Sequence, residues 1–164
     1  MCNPVRRAPP FAIVPATLHN EESSVAETSL PVEHLFTITA KTEGNSLIRS
    51  GPMGTRVIVG VTGGSFEGPR LKGTIEPPGG DWVTMRADGS ARLDVRLTLV
   101  TDDGARILMT YAGIGVPKDG GLDLRTAPLF ETGDERYAWL NNVQAVGVGR
   151  PGQGSVTYEV YALK

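Results

Sequence analysis

Two Asp-Gly steps, Asp88-Gly89 and Asp103-Gly104, constrain this chain more than any other feature. They sit in "DWVTMRADGSARLDVRLTLVTDDGARILMTYAGIG", where apolar and polar residues alternate on both sides of each step. A tight hairpin turn needs positive φ, which Gly and Asp tolerate, so this pattern is the strongest local hairpin signal. Three consecutive antiparallel strands are expected. Read as two-residue loops, the steps set Arg86 opposite Ala91, Thr84 opposite Leu93, Trp82 opposite Val95 and Asp81 opposite Arg96. Across the second loop Leu99 faces Leu108, Leu97 faces Thr110, Arg96 faces Tyr111 and Asp94 faces Gly113. Cross-strand partners share a face. One expected face therefore carries Trp82, Thr84, Arg86, Leu93, Val95, Leu97, Leu99 and Leu108. The other carries Asp81, Asp94, Arg96, Thr98 and Tyr111, with Val83 and Met109 nearby.

From Pro31 onward, β-rich runs recur between turn residues: "HLFTITAK", "RVIVGVTGG", "RLKGTIE", "VQAVGVG" and "SVTYEVYAL". "GDERYAWLN" lacks the alternation and suits a short helix. Residues 1–30 mix Pro, Arg, Glu and Ser without period and read as a loose arm, leaving 31–164 as one domain. A chain of 164 residues can bury roughly 70% of its unfolded surface in a single core. Many short strands without a long helix imply an antiparallel sandwich or barrel. Hairpins between successive strands favour an up-and-down barrel, which leaves no sheet edge exposed. The 21 glycines, nearly twice the usual share of about 7%, fit a chain that reverses often. "EPPGGDW" at 76–82 reads either as a strand-to-strand corner or as the rim of a pocket with Asp81 at its lip.

Several function classes are disfavoured by composition. The single cysteine, Cys2, allows no internal disulfide, and the two histidines, His19 and His34, are too few for a His-rich metal cluster. No G-x-S-x-G elbow is present. "GGSFEGPRLKG" lacks the G-K-[ST] ending of a phosphate loop, and "TDDGA" has too few carboxylates for a calcium loop. Neither a metal nor a cofactor is expected. A net charge of −2 argues against nucleic acid, and no apolar run approaches the roughly 20 residues that span a bilayer. The N-terminal "MCNPVRRAPPFAIVPA" is at best a weak export signal, so a cytoplasmic location is expected.

Taken in order, "GGSFEGPRLKGTIEPPGGDW", "RADGSARLDVRLTLVTDDGARI", "RTAPLFET" and "YAWLNNVQAVGVG" resemble the family known as domain of unknown function 3237, or uncharacterised protein family 0311. The resemblance runs over about residues 31–163. It implies a single β-barrel of lipocalin-like or allene-oxide-cyclase-like kind and no inherited activity. Barrels of that kind hold small apolar molecules, and some act as cofactor-free cyclases or isomerases. The family's recurring polar positions fall here on Asp81, Trp82, Arg86, Asp94, Arg125, Glu131, Tyr137, Trp139 and Asn141. "TYAGIGVPKDGGLDL" departs from the family pattern, with Leu124 in place of an aromatic residue before Arg125, which points to a different ligand preference.

Two assignments of inside and outside follow for the Asp81, Arg96, Tyr111 row. It is either a solvated outer face, where exposed ion pairs contribute about 0–1 kcal/mol, or the lining of the lumen. In the second case Asp81, Asp94, Arg96 and Tyr111 are the candidate catalytic groups, moving a proton to and from a carbon acid or enol. Trp82, Arg86, Arg125, Glu131, Tyr137 and Trp139 are the candidate substrate-binding residues. The last four lie in less regular sequence and would form a lid with an arginine anchor, or else seal one end of the core. Three functions remain: a module binding a small apolar or aromatic molecule, a cofactor-independent isomerase, cyclase or lyase, and a packed barrel that forms homodimers.

Overall fold

Both Asp-Gly steps make hairpin turns, but with three-residue loops. The Arg86 N–H donates to the Ser90 carbonyl at 2.8 Å and the Gly89 N–H to the Arg86 carbonyl at 3.1 Å. Thr101 and Gly104 repeat the arrangement, their N–H groups reaching the Ala105 and Thr101 carbonyls at 2.9 and 2.8 Å. Gly89 and Gly104 take φ of 80° and 87°, the left-handed third loop position that disfavours a side chain. The aspartates serve the loops themselves. Asp88 Oδ1 accepts from the Ser90 N–H and hydroxyl at 2.9 and 2.7 Å, and Asp103 Oδ1 accepts from the Thr101 hydroxyl at 2.5 Å.

The extra loop residue corrects the expected register by one position at each hairpin. Asp81 faces Val95, Thr84 faces Arg92, Val95 faces Tyr111 and Leu97 faces Met109. A one-residue slip sends a strand's whole set of side chains to the opposite side. Relative to the Leu93, Val95, Leu97, Leu99 face, Asp81, Val83, Met109 and Tyr111 therefore move in, while Trp82, Thr84, Arg86 and Leu108 move out.

The computed structural model describes residues 29–164. The arm expected at 1–30, with Cys2 and His19, lies almost wholly outside them. Eight strands follow in order: β1 (Val32–Gly51), β2 (Gly54–Glu67), β3 (Lys72–Met85), β4 (Ala91–Thr101), β5 (Arg106–Lys118), β6 (Gly121–Glu131), β7 (Ala145–Gly152) and β8 (Ser155–Leu163). Each pairs antiparallel with the next, and β8 returns to β1, so the sheet closes as the expected up-and-down barrel. Among the described residues, no helix is long and apolar enough to cross a membrane.

"EPPGGDW" is not a corner. It lies inside β3, where Glu76 faces Thr98 and Gly80 faces Arg96, so Pro77, Pro78 and Gly79 stand opposite Leu97 alone. Prolines have no N–H to donate, and the ladder bulges around them. Beyond the bulge the alternation resumes with Asp81 and Val83 inward. Glu76 points out and takes a bidentate pair of hydrogen bonds from Arg106 at 3.0 and 2.9 Å.

One end of the barrel is plugged. The short 3-10 helix Glu135–Asn142 is capped by Asp134, whose side chain accepts from the Arg136 N–H at 3.0 Å. Its Leu140 is fully buried. The rings of Phe66 and Phe130 lie edge-on to Phe36 at 5.6 and 6.0 Å in the same core. Leu140→Ala is expected to destabilise the fold by about 2–5 kcal/mol, the range for emptying a buried leucine site, as read from denaturant midpoints.

Candidate functional site

At the other end the lumen stays open. Asp81, Val95 and Tyr111 occupy one cross-strand row over β3, β4 and β5, and Tyr158 enters from β8. The Tyr111 and Tyr158 rings meet edge-to-face with centroids 5.7 Å apart. Tyr158 is held over Gly149, its partner on β7. A Cβ at Gly149 would sit 2.2 Å from Tyr158 Cδ1 and 2.8 Å from the Thr157 carbonyl oxygen, so the ring's seat requires glycine.

These three polar groups border a cavity of about 220 Å³ whose other walls include Val59, Val61, Val83, Leu93, Leu124 and Val156. An apolar cavity of roughly 150 Å³ accommodates benzene, so this one has room for a substituted aromatic ring. The reading of a barrel packed solid is thereby corrected. Among the described residues, no arginine or lysine lines the cavity.

The electrostatics follow from this enclosure. Withdrawal from water pushes the Asp81 carboxyl up to about 6; the Asp94 N–H, donating to Oδ1 at 3.0 Å, opposes the rise and the Asp94 charge adds to it. Burial raises the Tyr111 phenol well above its ordinary range, helped by Tyr158 and the Asp81 charge. Tyr158 is raised by the same burial. Near neutral pH the site thus holds an ionised carboxylate that readily takes a proton, beside two phenols that remain donors.

The expected Asp81, Arg96, Tyr111 row does not exist. Asp81 and Tyr111 point into the lumen, whereas Asp94 and Arg96 lie outside, paired at 3.0 Å and each more than half exposed. The cause is the loop length described above. Trp82 and Arg86 also lie outside, along an open groove of about 400 Å³ with Arg56 and Arg92. Although that groove is larger than the lumen cavity, the buried titratable groups converge in the lumen.

Arg125 stands on the outer face of β6 and clamps Asp123 at 2.7 and 2.9 Å, not Glu131. Glu131 is exposed at the end of that strand. Tyr137 and Trp139 belong to the 3-10 helix at the plugged end, so they seal the core and form no lid over the cavity. The Tyr137 hydroxyl reaches Asp103 at 3.1 Å, and the Arg70 guanidinium stacks 3.7 Å over the Trp139 ring. Asn141 Oδ1 accepts the Thr132 N–H at 2.8 Å, tying the helix to the end of β6. Sequence reasoning missed Tyr158. Its signal was the alternation in "SVTYEVYAL", which sets Val156, Tyr158, Val160 and Ala162 on one apolar side.

Fold and site together define a small closed β-barrel whose lumen holds a largely apolar cavity with a carboxyl-phenol cluster. Residues 30–163 match the family described as protein of unknown function DUF3237, and the chain belongs to that family. It is 30% identical over 151 residues to a UPF0311 protein of Rhodopseudomonas palustris (strain TIE-1), covering 82% of this chain and 97% of that one. A solved β-barrel-like protein from Acinetobacter baumannii AYE superposes with a TM-score of 0.79 at 29% identity, covering 85% of this chain and 99% of that chain. A third relative is the hydroalkoxylation enzyme phnH of Penicillium herquei, 41% identical over 88 residues, or 53% of this chain and 52% of that one.

Proposed function

We propose that this protein is a cofactor-independent enzyme that moves a proton on a small, unsaturated aromatic metabolite held in the lumen, closing or opening a C–O bond. The carrying observation is the grouping of Asp81 with Tyr111 and Tyr158 around a largely apolar cavity, to which Thr42 and Ser155 add the remaining hydroxyls. Hydroalkoxylation, the chemistry in the name of the Penicillium herquei relative, adds an O–H across a C=C bond and needs only such proton transfers.

Asp81, as carboxylate, removes the proton from a substrate hydroxyl. The oxygen then attacks the β-carbon of an alkene conjugated to a carbonyl, forming the C–O bond and breaking the C=C π bond. Charge develops on the carbonyl oxygen, where Tyr158 or Tyr111 donates a hydrogen bond within the largely apolar lumen. Asp81 returns its proton to the α-carbon, so atoms balance and no redox partner is required. The reverse sequence is an elimination, which places cyclase and lyase activity in one site.

The test uses 1-(2-hydroxyphenyl)but-2-en-1-one as probe, with the 2-methylchroman-4-one product followed by chiral chromatography. Expected is enantio-enriched product formed faster than in buffer, with the rate rising as pH passes through about 6 because Asp81 must be ionised. Racemic product at the buffer rate, with the ketone shown to bind, would leave a binding module without catalysis.

A further inference from the structure

The outer surfaces of β5 and β6 depart from the polar exterior of the neighbouring strands. On β4 the outward residues are Arg92, Asp94, Arg96 and Thr98, whereas on β5 and β6 they include Leu108, Ala112, Ile114, Ala127 and Leu129. Leu108, Ile114 and Leu129 are 39%, 38% and 51% exposed, and Val148 on β7 extends the patch at 42%. Ala112 pairs with Ala127 and Thr110 with Leu129, while Leu108 and Ile114 stand beside Glu131 and Arg125. The face is therefore apolar or small at its centre and charged at its margins, the layout of an interaction surface.

We infer that this face is where two copies of the chain meet, across a two-fold axis running along the Val95, Tyr111, Pro128 row. Those three residues are consecutive cross-strand partners, so an axis along the row lies in the sheet surface and sets each strand antiparallel over its own copy. Any residue then meets the one equally far beyond the row. On β6, Ala127 meets Leu129 and Arg125 meets Glu131. On β5, Leu108 meets Ile114 and Thr110 meets Ala112; on β4, Asp94 meets Arg96. Within three residues of the row on β5 and β6, every apolar residue meets an apolar or small one and Arg125 meets its opposite charge; farther out Arg106 meets Val116, and on β4 Arg92 meets Thr98.

This self-complementarity is what an isologous interface requires, and it selects a second copy over a partner of different sequence. Glu131 makes no ion pair among the described residues. The Arg125 and Arg96 side chains are each 56% exposed despite their local carboxylates, so both have donors left to offer. Packed sheets keep their strands within about 30° of each other, an angle small enough for these pairings to hold near the axis.

Sedimentation velocity on the full chain across a concentration series tests this directly. The wild type is expected to dimerise, and Leu129→Glu or Ala112→Arg to leave a folded monomer by circular dichroism. Glu131→Arg alone and Arg125→Glu alone should each weaken the dimer by about 10-fold or more, by setting like charges together. The two combined should recover affinity to within about 3-fold of wild type. A wild-type monomer throughout, a dimer indifferent to Leu129→Glu and Ala112→Arg, or a double swap no better than the singles would overturn the proposal.

Discussion

Asp81→Asn is expected to lower turnover of the hydroxyaryl ketone by about 100-fold or more, the contribution of a positioned general base, while making the protein more stable. The folded-state pKa of Asp81, about 6, lies above the ordinary 3.8. The folded state therefore binds this proton more tightly than the unfolded chain does. Its contribution is fully present below about pH 4, is lost as pH rises through 6, and stays lost above that. A shift of about two units corresponds to roughly 3 kcal/mol, reduced to about 2 kcal/mol because the mouth of the cavity admits some solvent. Asparagine does not ionise, yet its Oδ1 can still accept the Asp94 N–H. The variant should melt about 4–8 °C higher at pH 7.5, with no difference near pH 4. Loss of activity together with loss of stability at pH 7.5 would mean that Asp81 is structural.

Gly149→Ala carries the second large effect, through Tyr158. The new methyl collides with the ring edge and, less closely, with the Thr157 carbonyl, and β7 is hydrogen-bonded to β8 along its length, so the ring collision is relieved by swinging the ring. Overpacking of this kind costs about 1–3 kcal/mol. The swing also breaks the contact with Tyr111, so kcat should fall even in molecules that remain folded. Tyr158→Ala removes the ring contact and leaves only the milder one with the Thr157 carbonyl, so the Gly149→Ala/Tyr158→Ala double variant should be less destabilised than the sum of the singles. Strict additivity of the two would show that the ring is not seated on Gly149.

The barrel was legible because its evidence is local. Hairpin turns, alternation and the absence of a long helix each act over a few residues, and closure follows from the strands' need to pair both edges. What was not legible turned on one residue of loop length. Asp-Gly fits both a two-residue loop and the second and third positions of a three-residue loop, and only the latter lets Asp88 and Asp103 bond Ser90 and Thr101. That single step exchanged Trp82 for Asp81 at the lumen wall and replaced the Arg96 partner with Val95. Asp81 and Tyr111 are neighbours in either register, because both hairpins slip in the same sense. Alternation in its strand sets Tyr158 on the apolar side, but it approaches Asp81 and Tyr111 only when β8 closes on β1, a pairing of the two edges of the sheet that no local pattern specifies.

Asp81 is an acid withdrawn from water in the lumen and not one member of an exposed ion pair. The most direct measurement is a pH titration of its side-chain carboxyl carbon by NMR, assigned by the loss of the signal in Asp81→Asn. A midpoint near 6 is expected, and a midpoint at or below 3.8 would place the carboxylate in water or beside a guanidinium and contradict the site described above.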